Sequence, residues 1–368
     1  MRQPRVTSKH QKVFETLKNE IISGKYRDGE RFPSETELVN RFAFSRPTVM
    51  HALNDLQAEG FLERRQGAGT FLNAGKKLVK GYFGMIIPSH GMIEIFTPIC
   101  AAISRYSQEQ GYTLLFGNAA TDTTEADQEP RLLELCAQYI RQKVAGVFLE
   151  PLLELKPEHA AVNRKILKLL EDSQTPVVLL DRDIVHFPER SPYDLVGIDN
   201  LSAGYRVTDH LLRTGARKIV FMTHQGLAPT VQQRIAGMCD ALVNMAIPWE
   251  PSTIAYGNAS DKAFVRSVIG KSKAARPDAI ICANDVTAAQ LIATLGELRL
   301  RVPDDIRVTG FDDIRHASLI TPALTTVRQP CTELGILAAK TLMRRILDPN
   351  TPPHTILLHA PLVVRKSA

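Results

Sequence analysis

Several apolar runs in the second part of the sequence end in charged or amide side chains. These residues are Glu150, Asp181, Arg182, Asn284, Asp285, Asp312 and Asp313. Any one of them alone is better explained as a helix cap or a turn residue. Their repetition favours a shared crevice, where carboxylates, an amide and an arginine can form paired hydrogen bonds to neighbouring hydroxyls. This chemistry suits a sugar.

The elements that must position these side chains are short buried strands that alternate with helices. The runs are YFGMIIP, TLLFGN, VAGVFLEP, PVVLLDRD, DLVGIDN, KIVFMTH, STIAYG, DAIICAND and IRVTGFDD. Such runs are typical of parallel strands that are covered on both faces, which predicts an α/β fold with two doubly wound parallel sheets of roughly five or six strands each. Ligands of such sheets bind at the carboxyl ends of the strands.

The first 72 residues have a different pattern, which predicts three short helices and a hairpin. The helices cover Lys9 to Ser23 with Gly24 as the stop, Glu35 to about Phe42 behind a Ser34–Glu37 capping box, and a third that Ser45 caps and Gly60 ends. Pro47 is tolerated in the first turn of the third helix because the amide at that position has no helical partner.

The third helix has an unusual outer face. Its inner stripe is Val49, Ala52, Leu53 and Leu56, whereas the outer face and its flanks carry Arg46, Pro47, Thr48, Met50, His51 and Asn54. A solvated helix face usually displays Lys and Glu. Short polar and apolar groups beside an arginine suit base edges and phosphates in a major groove, although an ordinary amphipathic helix is an alternative for this segment alone.

A basic hairpin follows this helix. FLERR and TFL flank the turn QGAG, in which Gly67 and Gly69 can adopt positive φ. Arg64, Arg65 and Gln66 at the tip can reach phosphate or the minor groove. A nucleotide phosphate loop is disfavoured because GAGT lacks the lysine and the strand-to-helix context.

The charge is concentrated in the same region. Residues 1–80 contain 15 Lys and Arg against 9 Asp and Glu, whereas the remainder contains 30 of each. A small basic domain beside a larger neutral one is typical of a protein that binds nucleic acid with the first and senses a signal with the second. At 368 residues the chain is long enough for two or three domains.

Composition argues against several other classes. No apolar run has the length of a membrane span, and the N-terminus lacks the apolar stretch of a signal peptide, so a soluble cytoplasmic protein that does not contact membranes is expected. Five scattered cysteines without a CxxC pair suggest neither disulfides nor a zinc site. We expect no metal and no cofactor apart from a small-molecule effector.

The segment RFPSETELVNRFAFSRPTVMHALNDLQAEGFLERRQGAGTFL resembles the winged helix-turn-helix of the GntR repressors along its whole length. The resemblance implies DNA contacts at Ser45, Arg46 and Thr48 and, in the wing, at Gly67. Thr36 and Met50 stand where many family members have arginine, so those two contacts are not expected.

The remainder resembles the effector domain of the LacI and ribose-binding protein family, which has two lobes joined by three crossings. The resemblance is carried by PVVLLDRD, LVGIDNLSAGYRVTDHLLRTGARKIVFM, QQRIAGMCDAL, PDAIICANDVTAAQ, VPDDIRVTGFDDIRHASLITPALTTVRQP and LGILAAKTLMRRI. It implies ligand contacts at Asp181, Arg182, Arg234, Asn284, Asp312 and Gln329, a stacking ring at Phe96 and a weaker contact at Glu150. Phe96 alone is more often a core residue.

The expected domains are a DNA-binding domain at 1–72, a linker at 73–81 and an effector and dimerisation domain at 82–368. Lobe one is expected at about 82–198 and 331–352, and lobe two at about 199–330 and 353–368. This combination is similar to the AraR-type arabinose repressors of Gram-positive bacteria, a resemblance of architecture that does not extend to the ligand.

These observations predict a homodimeric transcriptional regulator of the repressor type. It is expected to bind an inverted repeat in duplex DNA and to respond to a small sugar. A nucleobase corepressor is the main alternative ligand. An enzyme is disfavoured because no nucleophile with its base and no HExxH pattern is present, and His186 near Asp181 reads as a loop residue. A free sugar-binding module would not need the basic winged unit.

Overall fold

The structure is a computed structural model that describes residues 9–22, 25–27, 29–65, 67–73, 81–88, 94–117, 125–152, 157–185, 188–225, 228–270, 272 and 274–368. Two compact units divide the chain, Met1–Gly81 and Tyr82–Ala368, and each is described by itself. No described helix is long and apolar enough to cross a membrane.

The described residues of the first unit form three helices and a two-stranded hairpin. The elements are α1 (Lys9–Ile22), α2 (Glu35–Phe42), α3 (Arg46–Ala58), β1 (Leu62–Arg65) and β2 (Gly69–Leu72). β1 and β2 pair antiparallel. The core combines Val13, Leu17 and Ile21 of α1 with the predicted inner stripe of α3. The predicted periodicity therefore describes the buried faces of both helices.

Local signals fix the helix boundaries in this unit. The Ser34–Glu37 capping box is formed at the start of α2. Ser45 occupies the N-cap position of α3 but makes no capping hydrogen bond, because its hydroxyl lies 2.8 Å from that of Thr48. Gly60 adopts φ +76° just after α3 ends. Gly24, the predicted stop of α1, lies outside the described residues.

Lobe one of the second unit is built on a six-stranded sheet in the order β13-β7-β6-β5-β3-β4. The strands are β3 (Gly81–Ile86), β4 (Tyr112–Phe116), β5 (Gly146–Leu149), β6 (Val177–Leu180), β7 (Asp194–Ile198) and β13 (Thr355–Leu358). Its helices are α4 (Phe96–Glu109), α5 (Glu125–Arg141), α6 (Pro157–Asp172) and α11 (Cys331–Leu347). Apolar cores lie on both faces of the sheet, which is why its central strands are almost entirely apolar.

Lobe two has a second six-stranded sheet in the order β14-β12-β11-β10-β8-β9. The strands are β8 (Ile219–Thr223), β9 (Ile254–Tyr256), β10 (Ala279–Cys282), β11 (Arg307–Asp312), β12 (Thr325–Arg328) and β14 (Leu362–Val363). The helices are α7 (Asn200–Arg213), α8 (Pro229–Asn244), α9 (Lys262–Ile269) and α10 (Asp285–Glu297). β14 pairs antiparallel with β12, and the other neighbouring strands of this sheet pair parallel to each other.

The chain passes between the two lobes three times: between β7 and α7, between β12 and α11, and between β13 and β14. One expected boundary is corrected by this path. Residues 353–358 were assigned to lobe two, but Thr355–Leu358 pairs parallel with β7 in the sheet of lobe one. The third crossing therefore follows Leu358.

Helices α7 and α8 approach each other closely at two glycines. A Cβ at Gly204 would lie 2.0 Å from the carbonyl oxygen of Arg234, and a Cβ at Gly237 would lie 2.0 Å from that of Leu201. Only glycine permits this contact, and the contact fixes the position of Arg234 relative to the start of α7.

Replacing Gly204 by alanine should therefore force the two helices apart. We expect the free energy of unfolding to fall by about 1–3 kcal/mol or more, because the added methyl meets backbone that cannot rotate away. Gly296→Ala in α10 is the matched control, since a Cβ there meets nothing within 4 Å. Urea unfolding of both variants tests this, and equal stability of the two would contradict the packing argument.

Candidate DNA interface and effector cleft

The outer face of α3 is exposed along its length. Arg46, Pro47, His51 and Asn54 are exposed, as are Ser45 before the helix and Met50 within it, whereas Thr48 is half-buried. In the wing, Arg64, Arg65 and Gly67 are exposed, and Gly67 adopts φ +77°. Gln66 lies outside the described residues. The described members of the predicted DNA-contact set thus lie on the outer side of α3 and at the wing, and all except Thr48 are exposed.

One carboxylate joins the recognition helix to the wing. Glu35 Oε2 accepts hydrogen bonds from Nε and Nη2 of Arg46, each at 3.2 Å, and its Oε1 accepts one from Nη2 of Arg64 at 3.0 Å. Glu35 is largely buried, whereas the side chain of Arg46 is 74% exposed. Two predicted DNA contacts are therefore held by one residue, which sequence reasoning did not identify because its partners lie on other elements.

In the second unit, a buried ion-pair cluster lies at the carboxyl ends of β5 and β6. Nη2 of Arg182 is 2.9 Å from Glu150 Oε1 and 2.8 Å from Asp181 Oδ2. Burial works against the charge of Arg182, but the carboxylates of Asp181 and Glu150 outweigh it, and the pKa of the guanidinium lies above its ordinary value. Arg182 is therefore a fixed cation in the cleft.

A second charged pair lies at the corresponding ends of lobe two. Nη2 of Arg234 is 3.6 Å from Asp312 Oδ1, and Gln329 Nε2 donates to the same oxygen at 2.8 Å. The Arg234 guanidinium also lies 4.5 Å from the centre of the Phe311 ring. Asp312 contributes to the electrostatic environment of Arg182, so charges from the two lobes face each other across the cleft.

Two of the predicted ligand residues have other roles in the structure. Asn284 is the N-cap of α10, where its side chain accepts a hydrogen bond from the Thr287 amide at 2.9 Å. The ring of Phe96, for which a stacking role was expected, is completely buried in the apolar core of lobe one. Phe96 is the first residue of α4. The local sequence around such an apolar residue is the same whether its side chain faces the core or a ligand.

The cleft contains a cavity of about 580 Å³ between the lobes, which is a usual volume for a ligand site. Lobe one contributes Glu94, Thr97 and Pro98, and the other side includes Asp312 and Gln329. Oε1 of Glu94 lies 2.8 Å from Nδ1 of His316 on the opposite side of the cleft. The space beside Asp181 and Arg182 is only about 10 Å³.

Two polar atoms in this region are buried and have no hydrogen-bond partner among the residues that the structure describes. They are Nη1 of Arg182, a donor, and Oε1 of Gln329, an acceptor. Their residues are only 3% and 5% exposed. A buried group without a partner costs about 1–3 kcal/mol, so this donor and this acceptor are positions where a ligand or a bound water can supply the missing hydrogen bond.

Burial also changes the protonation of two cleft carboxyls. It raises the pKa of Asp312 to about 6, against the opposing attraction of Arg234. It raises the pKa of Asp285 to about 8, with repulsion from Asp312 as the second cause. Asp285 Oδ1 is 2.6 Å from the Thr326 hydroxyl, and its Oδ2 accepts from the Ile314 amide at 3.0 Å. The raised pKa favours the protonated form of Asp285, which lies beneath the cleft.

Asn200 was not predicted as a residue of the site. It is 1% exposed, and its Oδ1 accepts from Arg234 Nε at 2.8 Å. The polar end of DLVGIDN carried the same signal that identified Asp181 and Asn284. The contact itself joins residues 34 positions apart, so no local pattern reveals it.

Comparison with known proteins supports the same division of the chain. Residues 9–72 match the model of the gntR family of bacterial regulatory proteins, and residues 208–368 match the periplasmic binding protein-like domain. The arabinose metabolism transcriptional repressor of Geobacillus stearothermophilus is 31% identical over 94% of this chain and 94% of its own length. This chain belongs to the family of these repressors. Like them, it is a DNA-binding transcriptional repressor with an effector domain, and the predicted GntR and LacI-type combination is confirmed.

Other similar proteins are also transcription regulators. The repressor PurR of Aliivibrio fischeri is 28% identical over 88% of this chain and 95% of its own length. A solved complex of the transcriptional regulator CelR with cellobiose has a TM-score of 0.65 at 21% identity, covering 88% of this chain and 92% of that chain, which supports the fold. The prediction that this repressor is not an enzyme agrees with these relatives. Within the described residues, no group of three or more His, Cys, Asp or Glu could hold a metal ion.

Proposed function

We propose that this repressor is controlled by a neutral sugar that binds between the lobes of its effector domain. The unpaired Arg182 Nη1 and Gln329 Oε1 carry the proposal, because a sugar hydroxyl both donates and accepts hydrogen bonds. The two buried arginines of the cleft already have carboxylate partners, Glu150 and Asp181 for Arg182 and Asp312 for Arg234. An anionic ligand would add uncompensated negative charge, so an uncharged ligand fits better.

Arabinose is the first candidate because a relative with 31% identity is named an arabinose metabolism repressor. A nucleobase is less suitable, since the described residues that line the cavity beside Asp312 and the small space beside Arg182 include no Phe, Tyr or Trp on which a flat ring could stack.

A thermal-shift experiment tests the ligand class. Arabinose, ribose, glucose, cellobiose, glucuronate and hypoxanthine are added separately to the purified repressor. A neutral sugar at about 100 times its dissociation constant should stabilise the folded effector domain by about 2.7 kcal/mol, which raises Tm by a few degrees. Stabilisation by glucuronate or hypoxanthine alone would contradict the proposal.

We further propose that the repressor acts as a homodimer whose two recognition helices bind an inverted repeat, with half-sites one helical turn or more apart. The proposal is supported by the exposed outer face of α3 and by the arginines of the wing. Lys and Arg contacts to phosphate would supply most of the affinity, so binding should weaken steeply with salt.

Replacing Arg46 by alanine should weaken operator binding by about 1–3 kcal/mol, or roughly 5- to 150-fold, because a side chain that reaches the groove is lost. Arabinose affinity should not change. Arg213→Ala is the matched control, since both arginine side chains are 74% exposed and Arg213 lies in the effector domain. Operator titration by fluorescence anisotropy measures the effect. Loss of sugar binding with retained operator binding would show that the domain roles are wrong.

A further inference from the structure

The hydrogen bonds of Arg234 lead to the first crossing between the lobes. β7 ends at Ile198 in lobe one, and α7 begins at Asn200 in lobe two. The Asn200 side chain accepts from Arg234 Nε at 2.8 Å and donates to the Ile198 carbonyl at 3.2 Å. One buried amide therefore connects a predicted ligand contact to the chain that joins the lobes.

The partner of Arg234 has an equivalent connection to the second crossing. Gln329 lies between β12 and α11, and it donates to Asp312 Oδ1 at 2.8 Å. Both members of the Arg234–Asp312 pair are thus hydrogen-bonded to a crossing residue. The first crossing is in turn tied to the third, because the Asp199 amide donates to the Leu358 carbonyl at 3.0 Å. Hinge closure is absorbed by a few such residues between elements.

We propose that Asn200 is a positioning residue that couples occupancy of the cleft to the angle between the lobes. The inference rests on the proposed function of the cleft as an effector site. A ligand that binds Arg234 changes the direction of its guanidinium, and the Nε hydrogen bond transmits this change to Asn200 and to the Ile198 carbonyl. Asn200 itself does not need to contact the ligand.

Two substitutions separate the two hydrogen bonds of Asn200. Asn200→Asp keeps the oxygen that accepts from Arg234 and removes the donor to Ile198. Asn200→Leu has a similar volume and removes both. Asn163→Asp is the matched control: Asn163 is also 1% exposed and accepts from the Leu152 amide at 3.0 Å, but it lies in α6, away from the crossings.

With arabinose as the probe, the dissociation constant of Asn200→Asp for the sugar should stay within about threefold of the wild-type value. The change in operator affinity that the sugar causes should shrink by about tenfold or more. Asn200→Leu should lose both sugar affinity and response, and Asn163→Asp should keep both. A full response in Asn200→Asp would overturn the proposal. So would a loss of sugar binding in proportion to the loss of response, because that pattern indicates a purely structural role.

A second measurement needs no ligand. Hydrogen exchange of the amides in residues 196–203 should be about tenfold faster in Asn200→Asp than in wild type or Asn163→Asp, because the crossing has lost an anchoring bond. If wild type fails to respond to arabinose, the choice of sugar is wrong, while the exchange rates still decide the role of Asn200. Unchanged exchange would show that Asn200 does not restrain the crossing.

Discussion

Replacing Arg182 by alanine should destabilise the effector domain by about 3–5 kcal/mol and abolish the response to the effector. The reason is that the buried carboxylates of Glu150 and Asp181 lose the arginine that they share. The loss of Nη1 also removes the unpaired donor that we assign to the ligand. Operator binding should persist under conditions in which the variant remains folded, since the winged unit has its own core.

The only tryptophan in the chain, Trp249, lies in the effector domain, so its fluorescence reports unfolding of that domain. Arg301→Ala is a suitable control, because Arg301 is 74% exposed and its exposed ion pair contributes about 1 kcal/mol or less. The double variant Glu150→Gln/Arg182→Met should recover part of the stability without recovering the response. Release of operator at wild-type sugar concentrations in Arg182→Ala would refute the assignment of the cleft.

The stability of the effector domain should decrease as pH rises from about 4 to about 8, because of Asp285. An unfolded aspartate loses its proton near pH 3.8, whereas the buried Asp285 has a pKa of about 8. Throughout this window the folded state holds a proton that the unfolded state has released. Each pH unit then reduces the free energy of unfolding by about 1.4 kcal/mol, and Asp312, with a pKa of about 6, adds to the effect below pH 6.

Asp285→Asn should remove the Asp285 contribution to this slope. The new side chain is nearly isosteric: its oxygen can accept from the Ile314 amide, as Asp285 Oδ2 does, and its NH2 group would replace Oδ1 beside the Thr326 hydroxyl. Urea unfolding followed by Trp249 fluorescence at pH 5, 6, 7 and 8 measures the slope, and Asp172→Asn, at an exposed residue, provides the control. An unchanged slope in Asp285→Asn would show that Asp285 is ionised in the folded protein.

The winged unit illustrates how much local sequence can determine. The capping box at Ser34, the apolar stripe of α3 and the glycines of the wing each act within a few residues, and the structure follows them closely. Strands β12, β13 and β14 were not predicted, because the four residues of β12 are mostly polar and β13 and β14 are short strands at the edges of their sheets. Residues 353–358 were assigned to the wrong lobe because the pairing of Thr355–Leu358 with β7 is a long-range contact that no local pattern reveals.

The sequence by itself determined the two kinds of domain, the outer face of the recognition helix and the polar residues that end the buried strands, because all of these depend on short-range periodicity and composition. Only the tertiary structure decided which of the polar residues meet: it paired Arg182 with Glu150, linked Arg234 to Asn200 and placed Phe96 in the core. These outcomes depend on how helices and strands far apart in the chain pack together, and the protonation of Asp285 depends on the burial that this packing creates.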